Sequence, residues 1–272
     1  MATIRTERIL ANPAIAVDHA GTGELVVFMH GIGGNRSNWT EQVERFGDSH
    51  HAVAWDARGY GDSDDYEGPL DFGDFARDLA GLIDHFGAEK AHLVGLSMGG
   101  RIAQDFYARY PERVATLVLV ATFTGFKTFT EAERRRFVDI RKKPLLEGKE
   151  PKDIAPIVAR TLVGPNASEE QFQRLVASMA ALHKESYIKT IEATTAYDRD
   201  TELETIAVPT LLVFGEHDRL TTKEIGEDMA RRIKGSQYVL VPDSGHLVNL
   251  EQPEPFEAAV AGFLAEHAGL AG

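Results

Sequence analysis

Three residue types able to share one proton relay lie far apart in the chain: Ser97 in "VGLSMGGR", Asp218 in "GEHDRLT" and His246 in "DSGHLV". A serine hydroxyl is a weak nucleophile until a base removes its proton during attack. Histidine titrates near neutrality and can take that proton through one ring nitrogen. The other nitrogen needs an acceptor that fixes the tautomer and stabilises the imidazolium, which is a role for a carboxylate. Attack on a carbonyl produces an oxyanion, and two backbone N–H groups can stabilise it. The candidates are Met98, directly after the serine, and Ile32 in the glycine-rich run "HGIGG". Side chains at Gly95 and Gly99 would crowd a tight serine turn. Taken alone, Gly95-Leu96-Ser97-Met98-Gly99 is equally an ordinary strand-to-helix turn, so the case rests on what positions its partners.

The runs "AIAVDHA", "ELVVFMH", "HAVAWD", "AHLVGL", "RVATLVLVA", "VPTLLVFG" and "QYVLVP" read as strands, several continuously apolar as interior parallel strands are. Between them lie helical patterns. In "DFGDFARDLAGLIDHFG" the residues Phe75, Leu79, Leu82, Ile83 and Phe86 recur on one face, Asp71 can cap the start and Gly87 the end. "GRIAQDFYARY" is a helix stopped by Pro111, and "PEPFEAAVAGFLAEH" closes the chain with Pro253 or Pro255 near its start. From about Thr124 to Thr194 apolar residues come only at helical intervals. The alternation predicts a mostly parallel sheet with helices on both faces, formed by residues 1–123 and 195–272, and a helical cap inserted at 124–194. Ligands bind such sheets beyond the carboxyl ends of the strands. Ser97, Asp218, His246 and the "HGIGG" loop all follow strand ends.

Composition narrows the function classes. The 272 residues are 43% hydrophobic and 26% charged, which suits a globular protein with a sizeable core. There is no cysteine, so disulfides and thiol nucleophiles are excluded. No run is long and apolar enough for a membrane span, and "MATIRTERIL" lacks a signal-peptide core, which fits a cytoplasmic protein. A net charge of −13 argues against nucleic-acid and membrane partners. One segment opposes this trend: Lys127 to Lys152 carries nine Lys/Arg and five Asp/Glu, including Arg134, Arg135, Arg136, Arg141, Lys142 and Lys143. It reads first as a solvated helix face and second as a bias toward anionic ligands. No histidine pair has zinc-site spacing, "GIGGNR" lacks the residues of a phosphate loop, and neither a metal nor a cofactor is expected.

The segments "HGIGG", "WDARGYGDSD", "GLSMGG", "GEHD" and "SGH", in this order and spacing, resemble the α/β-hydrolase fold family over nearly the whole chain. Within it the wording is most similar to 3-oxoadipate enol-lactonases and related bacterial esterases. The resemblance implies an α/β-hydrolase fold with an eight-stranded sheet. It also implies a cofactor-independent serine hydrolase acting on a small-molecule ester or lactone. The family pattern puts the acid at Asp218, ahead of Glu216 and Asp243. It further implies a substrate that could carry a carboxylate, which cap arginines could meet.

The remaining candidates have weaker signals. Trp39, Phe123 and Phe126 are expected to contact substrate, with core packing as the competing role. Asp56, Arg58 and Asp62 read as residues bracing a loop, His30 as structural, His217 as turned away, and His183 as a cap residue within reach of substrate. Three other activities share these motifs: hydrolysis of a C–C bond in a ring-cleavage product, cofactor-free perhydrolysis or haloperoxidation, and non-catalytic reception of a small ligand. Against the first, that group carries Asn before the serine and an aromatic residue after the histidine, where this chain has Leu96 and Leu247. Oligomeric state has no signature in the sequence.

Overall fold

The computed structural model describes residues 2–126, 129–198 and 200–271, so Lys127, the start of the basic segment, lies outside the described residues. The strands are β1 (Arg5–Ile9), β2 (Ile15–Ala20), β3 (Leu25–Met29), β4 (His51–Trp55), β5 (Ala91–Leu96), β6 (Val114–Val120), β7 (Thr210–Gly215) and β8 (Gln237–Val241). They form one sheet in the order β1-β2-β4-β3-β5-β6-β7-β8. β1 and β2 run antiparallel to their neighbours, and every pairing from β4 through β8 is parallel. Every residue of β3, β5, β6 and β7 is buried, which is why these strands read as unbroken apolar runs. β1 carried no such signal. It is an edge strand, "RTERI", in which only Ile9 is buried.

Helices α1 (Thr40–Phe46), α2 (Gly73–His85) and α3 (Met98–Arg109) cover the first part of the sheet. Asp71 accepts a hydrogen bond from the Gly73 N–H (2.8 Å) at the start of α2. Gly87 has φ +68° after its end, the left-handed conformation expected of a helix stop. The next five helices, α4 (Glu131–Asp139), α5 (Lys143–Leu146), α6 (Pro151–Arg160), α7 (Glu169–Ala180) and α8 (Lys184–Ala196), all lie between β6 and β7. Thr130 with Glu133, and Ser168 with Gln171, cap α4 and α7 reciprocally. A β-bridge between Gly125 and Asp198 joins the two ends of this insertion. Helices α9 (Lys223–Arg232), α10 (Val248–Glu251) and α11 (Pro253–Glu266) complete the chain. No helix among the described residues is long and apolar enough to cross a membrane.

The basic segment divides in two. Arg134, Arg135 and Arg136 are exposed on α4, and Arg135 pairs with Glu131 (2.6 Å) on the same helix. Arg141, only a few residues further on, is buried.

Candidate active site

Ser97 joins β5 to α3 with φ +54° and ψ −110°, a conformation that costs a non-glycine residue about 1–3 kcal/mol. Surrounding bonds hold it there. Its N–H donates to the Val120 carbonyl (2.9 Å), and its own carbonyl accepts from Thr122 Oγ1 (2.7 Å) and the Arg101 N–H (3.1 Å). The flanking glycines are sterically required. A Cβ at Gly95 would overlap the Gly99 carbonyl oxygen, and one at Gly99 would overlap that of Met29. Met98 is the first residue of α3, so its N–H is among those a helix leaves without an internal partner.

The glycine-rich loop lies against this turn, since a Cβ on Gly31 would sit 3.4 Å from Ser97 Cβ. His30 braces the loop. Its Nε2 accepts from the Ala57 N–H (3.0 Å), so Nδ1 carries the proton and donates to the Gly31 carbonyl (2.8 Å). Burial lowers the His30 pKa, which favours this neutral form. The Tyr60 hydroxyl donates to the Ile32 carbonyl (3.1 Å) and fixes that peptide. Arg36 bonds Asp56 and also Asp62 (2.6 Å), while Arg58 pairs with Asp78 (2.6 Å), so these charged residues brace loops.

On the other side, His246 Nδ1 is 2.7 Å from Asp218 Oδ2. Asp218 also accepts from the N–H groups of Leu220 (2.8 Å) and Thr221 (3.1 Å) and from Thr221 Oγ1 (2.5 Å). A carboxylate at Nδ1 places the proton there and leaves Nε2 as the basic nitrogen. Glu216 and Asp243 take other roles. The Asp243 N–H donates to Glu216 (3.3 Å), and the exposed Asp243 side chain bonds Asn166 (2.7 Å). His217 is near those two surface carboxylates at 3.9 Å. Ser97, Asp218 and His246 are each nine-tenths or more buried. The Ser97 hydroxyl makes no hydrogen bond to His246, a contact that in free enzymes often tightens only with substrate.

The structure moves Trp39 from the expected pocket wall into the core. Its fully buried ring packs between Phe28 of β3 (5.2 Å) and Phe256 of α11 (6.0 Å). Phe123 and Phe126 meet edge to face at 5.0 Å just beyond β6 and enclose the Arg101 guanidinium with Phe72 and Tyr197. Arg101 in turn donates to Thr194 Oγ1 (2.6 Å) and the Tyr197 carbonyl (2.7 Å), tying α3 to the end of the insertion. His183 bonds Asp65 (3.0 Å) and the Gly61 carbonyl (3.0 Å), so it docks the insertion onto a loop. An open groove of about 400 Å³ beside the glycine-rich loop is lined by Asn35, Glu41 and Arg174 among others, and by none of Ser97, Asp218 or His246.

One residue escaped the sequence reading. The buried Glu251 carboxylate accepts from the N–H groups of Gly245 (2.9 Å) and Leu247 (3.1 Å), on either side of His246, and from Gly164 (2.8 Å) in the insertion. The His246 N–H itself donates to the Leu162 carbonyl (2.8 Å). A lone carboxylate within the otherwise neutral "HLVNLEQP" was the available signal.

Known proteins share this architecture. The chain is 28% identical over 253 residues to 3-oxoadipate enol-lactonase 2 of Acinetobacter baylyi, covering 90% of this chain and 92% of that one. It is 30% identical over 266 residues to the 2-hydroxy-6-oxononadienedioate/2-hydroxy-6-oxononatrienedioate hydrolase of Klebsiella pneumoniae, covering 92% and 91%. A thermophilic esterase from Thermogutta terrifontis, solved with malate bound, superposes with a TM-score of 0.87 at 29% identity over 97% of this chain and 100% of that one. The model of the alpha/beta hydrolase fold family matches residues 24–253, and with the strand order and the serine turn above, this chain belongs to that family.

Proposed function

We propose that the protein hydrolyses a carboxylic ester or lactone through an acyl-enzyme on Ser97. The observation that carries this reading is the strained turn at Ser97, which follows β5 of the same sheet whose strands β7 and β8 precede the hydrogen-bonded Asp218 and His246. In this mechanism His246 Nε2 accepts the Ser97 hydroxyl proton as Oγ attacks the carbonyl carbon. The N–H groups of Ile32 and Met98 stabilise the resulting oxyanion. His246 then passes its proton to the leaving oxygen, which in a lactone remains tethered to the acyl chain. Water attacks the acyl-enzyme, His246 takes its proton, and the acid departs as Ser97 recovers the hydrogen. The insertion at 124–194 acts as the cap. Its contact with the His246 loop through Leu162 and Gly164 supports that role.

Ser97→Ala tests the mechanism. It should lower kcat for a 4-nitrophenyl ester by on the order of 10⁶-fold and abolish labelling by a serine-directed phosphonate, with the Tm retained. Ester turnover surviving in the folded variant would refute the role of Ser97. The similarity to the Klebsiella hydrolase supports a second reading, hydrolysis of a C–C bond in a ring-cleavage product. Rapid loss of dienolate absorbance on mixing with such a substrate would favour it over ester hydrolysis.

A further inference from the structure

The glycine-rich loop that carries the Ile32 N–H has little to hold its own shape. Gly31, Gly33 and Gly34 flank Ile32, and glycine leaves the backbone free to rotate. Two buried side chains fix Ile32 from either end. His30 Nδ1 donates to the Gly31 carbonyl (2.8 Å), and in the trans peptide that follows, the Ile32 N–H points the opposite way. The Tyr60 hydroxyl donates to the carbonyl of Ile32 itself (3.1 Å). Rotation of the Ile32 backbone would break one bond or the other. The two rings pack with centroids 4.8 Å apart, and Tyr60 has no exposed surface. Burial raises the Tyr60 pKa well above its usual value, so the phenol remains a neutral donor.

The Tyr60 oxygen also faces the insertion. The hydroxyl of Thr190, fully buried in α8, reaches that oxygen as well as the Ser186 carbonyl (2.9 Å) of its own helix. Around this point α8 is docked on the loop that carries Tyr60. His183, which precedes α8, bonds the Gly61 carbonyl (3.0 Å) and Asp65 (3.0 Å). Ser186 Oγ donates to Asp65 (2.5 Å), and Lys189 Nζ donates to the Tyr66 carbonyl (2.9 Å). A Cβ on Gly59 would lie only 2.5 Å from Ser186 Cβ, so the two backbones meet closely. Residues 57–66 are thus clasped between the insertion and the glycine-rich loop, and Tyr60 touches both.

We propose that Tyr60 is a positioning residue for the oxyanion N–H of Ile32, and that its contact with Thr190 makes the aim of that N–H depend on the docked insertion. The proposal rests on the ester-hydrolase reading and adds a residue outside the relay of Ser97, His246 and Asp218. A donor already aimed at the developing charge needs no reorganisation during the reaction. The Tyr60 bond therefore acts on the transition state and not on substrate binding.

Tyr60→Phe, which removes one oxygen, should lower kcat for 4-nitrophenyl butyrate by about tenfold and change KM by less than about twofold. The inhibition constant of a trifluoromethyl ketone, whose adduct with Ser97 places an oxyanion in the hole, should rise by the same factor as kcat falls. The acid limb of the pH profile should not move, because His246 and Asp218 are untouched. A loss confined to KM, an unchanged inhibition constant or a shifted acid limb would overturn the role of Tyr60. Thr190→Val should lower kcat by roughly threefold, and adding it to Tyr60→Phe should cost nothing more, since both act through one bond. Additive losses would overturn the link to the insertion. If Tyr60→Phe does not fold, Thr190→Val decides by the same split between kcat, KM and the inhibition constant. If wild type cleaves no ester, the hydrolase reading fails separately, and amide hydrogen exchange at Ile32 and Gly33 decides the positioning. Faster exchange in both variants supports it, and exchange equal to wild type rejects it.

Discussion

The loops at the strand ends and the helical insertion above them treat buried positive charge in opposite ways. Below the glycine-rich loop, Arg36 is surrounded by Asp56, Asp18 (3.1 Å) and Asp62 (2.6 Å). These carboxylates hold its guanidinium in the charged form, raising the pKa against the opposing effect of burial. Asp56 is matched as well, accepting the N–H groups of Arg36 (2.7 Å) and Asp62 (2.8 Å). In the insertion, Arg141 is more deeply buried and meets a carbonyl, an aromatic face and the Tyr187 hydroxyl. The strand-end region thus compensates its charges within the chain, so its geometry does not depend on a ligand. The insertion surrounds its buried charge with neutral groups.

The sharpest challenge to this contrast is removal of each arginine. Arg36→Met leaves Asp56 buried without its cation and should cost about 3–5 kcal/mol in urea unfolding, whereas Arg141→Met should cost nothing. The reverse outcome would invert the comparison. Next comes Glu251→Gln, which weakens three N–H contacts around His246 and the adjoining insertion segment. A misplacement of the histidine should lower kcat by up to roughly 10²-fold with KM nearly unchanged. A change confined to KM would mean that Glu251 serves substrate binding instead.

The mildest effect concerns His92, a fully buried residue of β5 whose Nδ1 bonds Thr116 Oγ1 (2.9 Å) while Nε2 lies 3.7 Å from Glu24. Burial pushes its pKa down from 6.5 to about 4. The unfolded chain therefore binds this proton first, and stability falls as pH drops from about 6.5 toward 4. One pH unit below the unfolded value, the loss from this residue is about 1.4 kcal/mol. His30 and His50, also lowered by burial, act with the same sign. Urea unfolding at pH 7.5 and 5.5 measures the slope, and His92→Gln should flatten it. An unchanged slope would remove His92 as its cause.

The residues of the catalytic proposal were legible in the chain because local rules govern them. Parallel strands buried on both faces read as apolar runs, and the residues after each run lie at the ligand-binding edge. Gly95 and Gly99 marked the turn because the backbone there approaches other backbone too closely for any side chain. β1 was not legible because an edge strand buries too little to impose alternation. Trp39 was legible as a large apolar residue, but its direction depended on α11, whose Phe256 follows it by more than two hundred positions. Glu251 acts on backbone N–H groups, which leave no side-chain pattern to match.

Periodicity and turn chemistry act over a few residues, so the amino-acid order alone specified the sheet, the succession of its elements and the serine, histidine and aspartate at its edge. Separating Arg141 from Arg134, Arg135 and Arg136 took the folded chain. Desolvation and ion pairing depend on distances between residues remote in the chain. The same side chain is therefore a solvated surface charge at one position and a buried cation among neutral groups a few residues later.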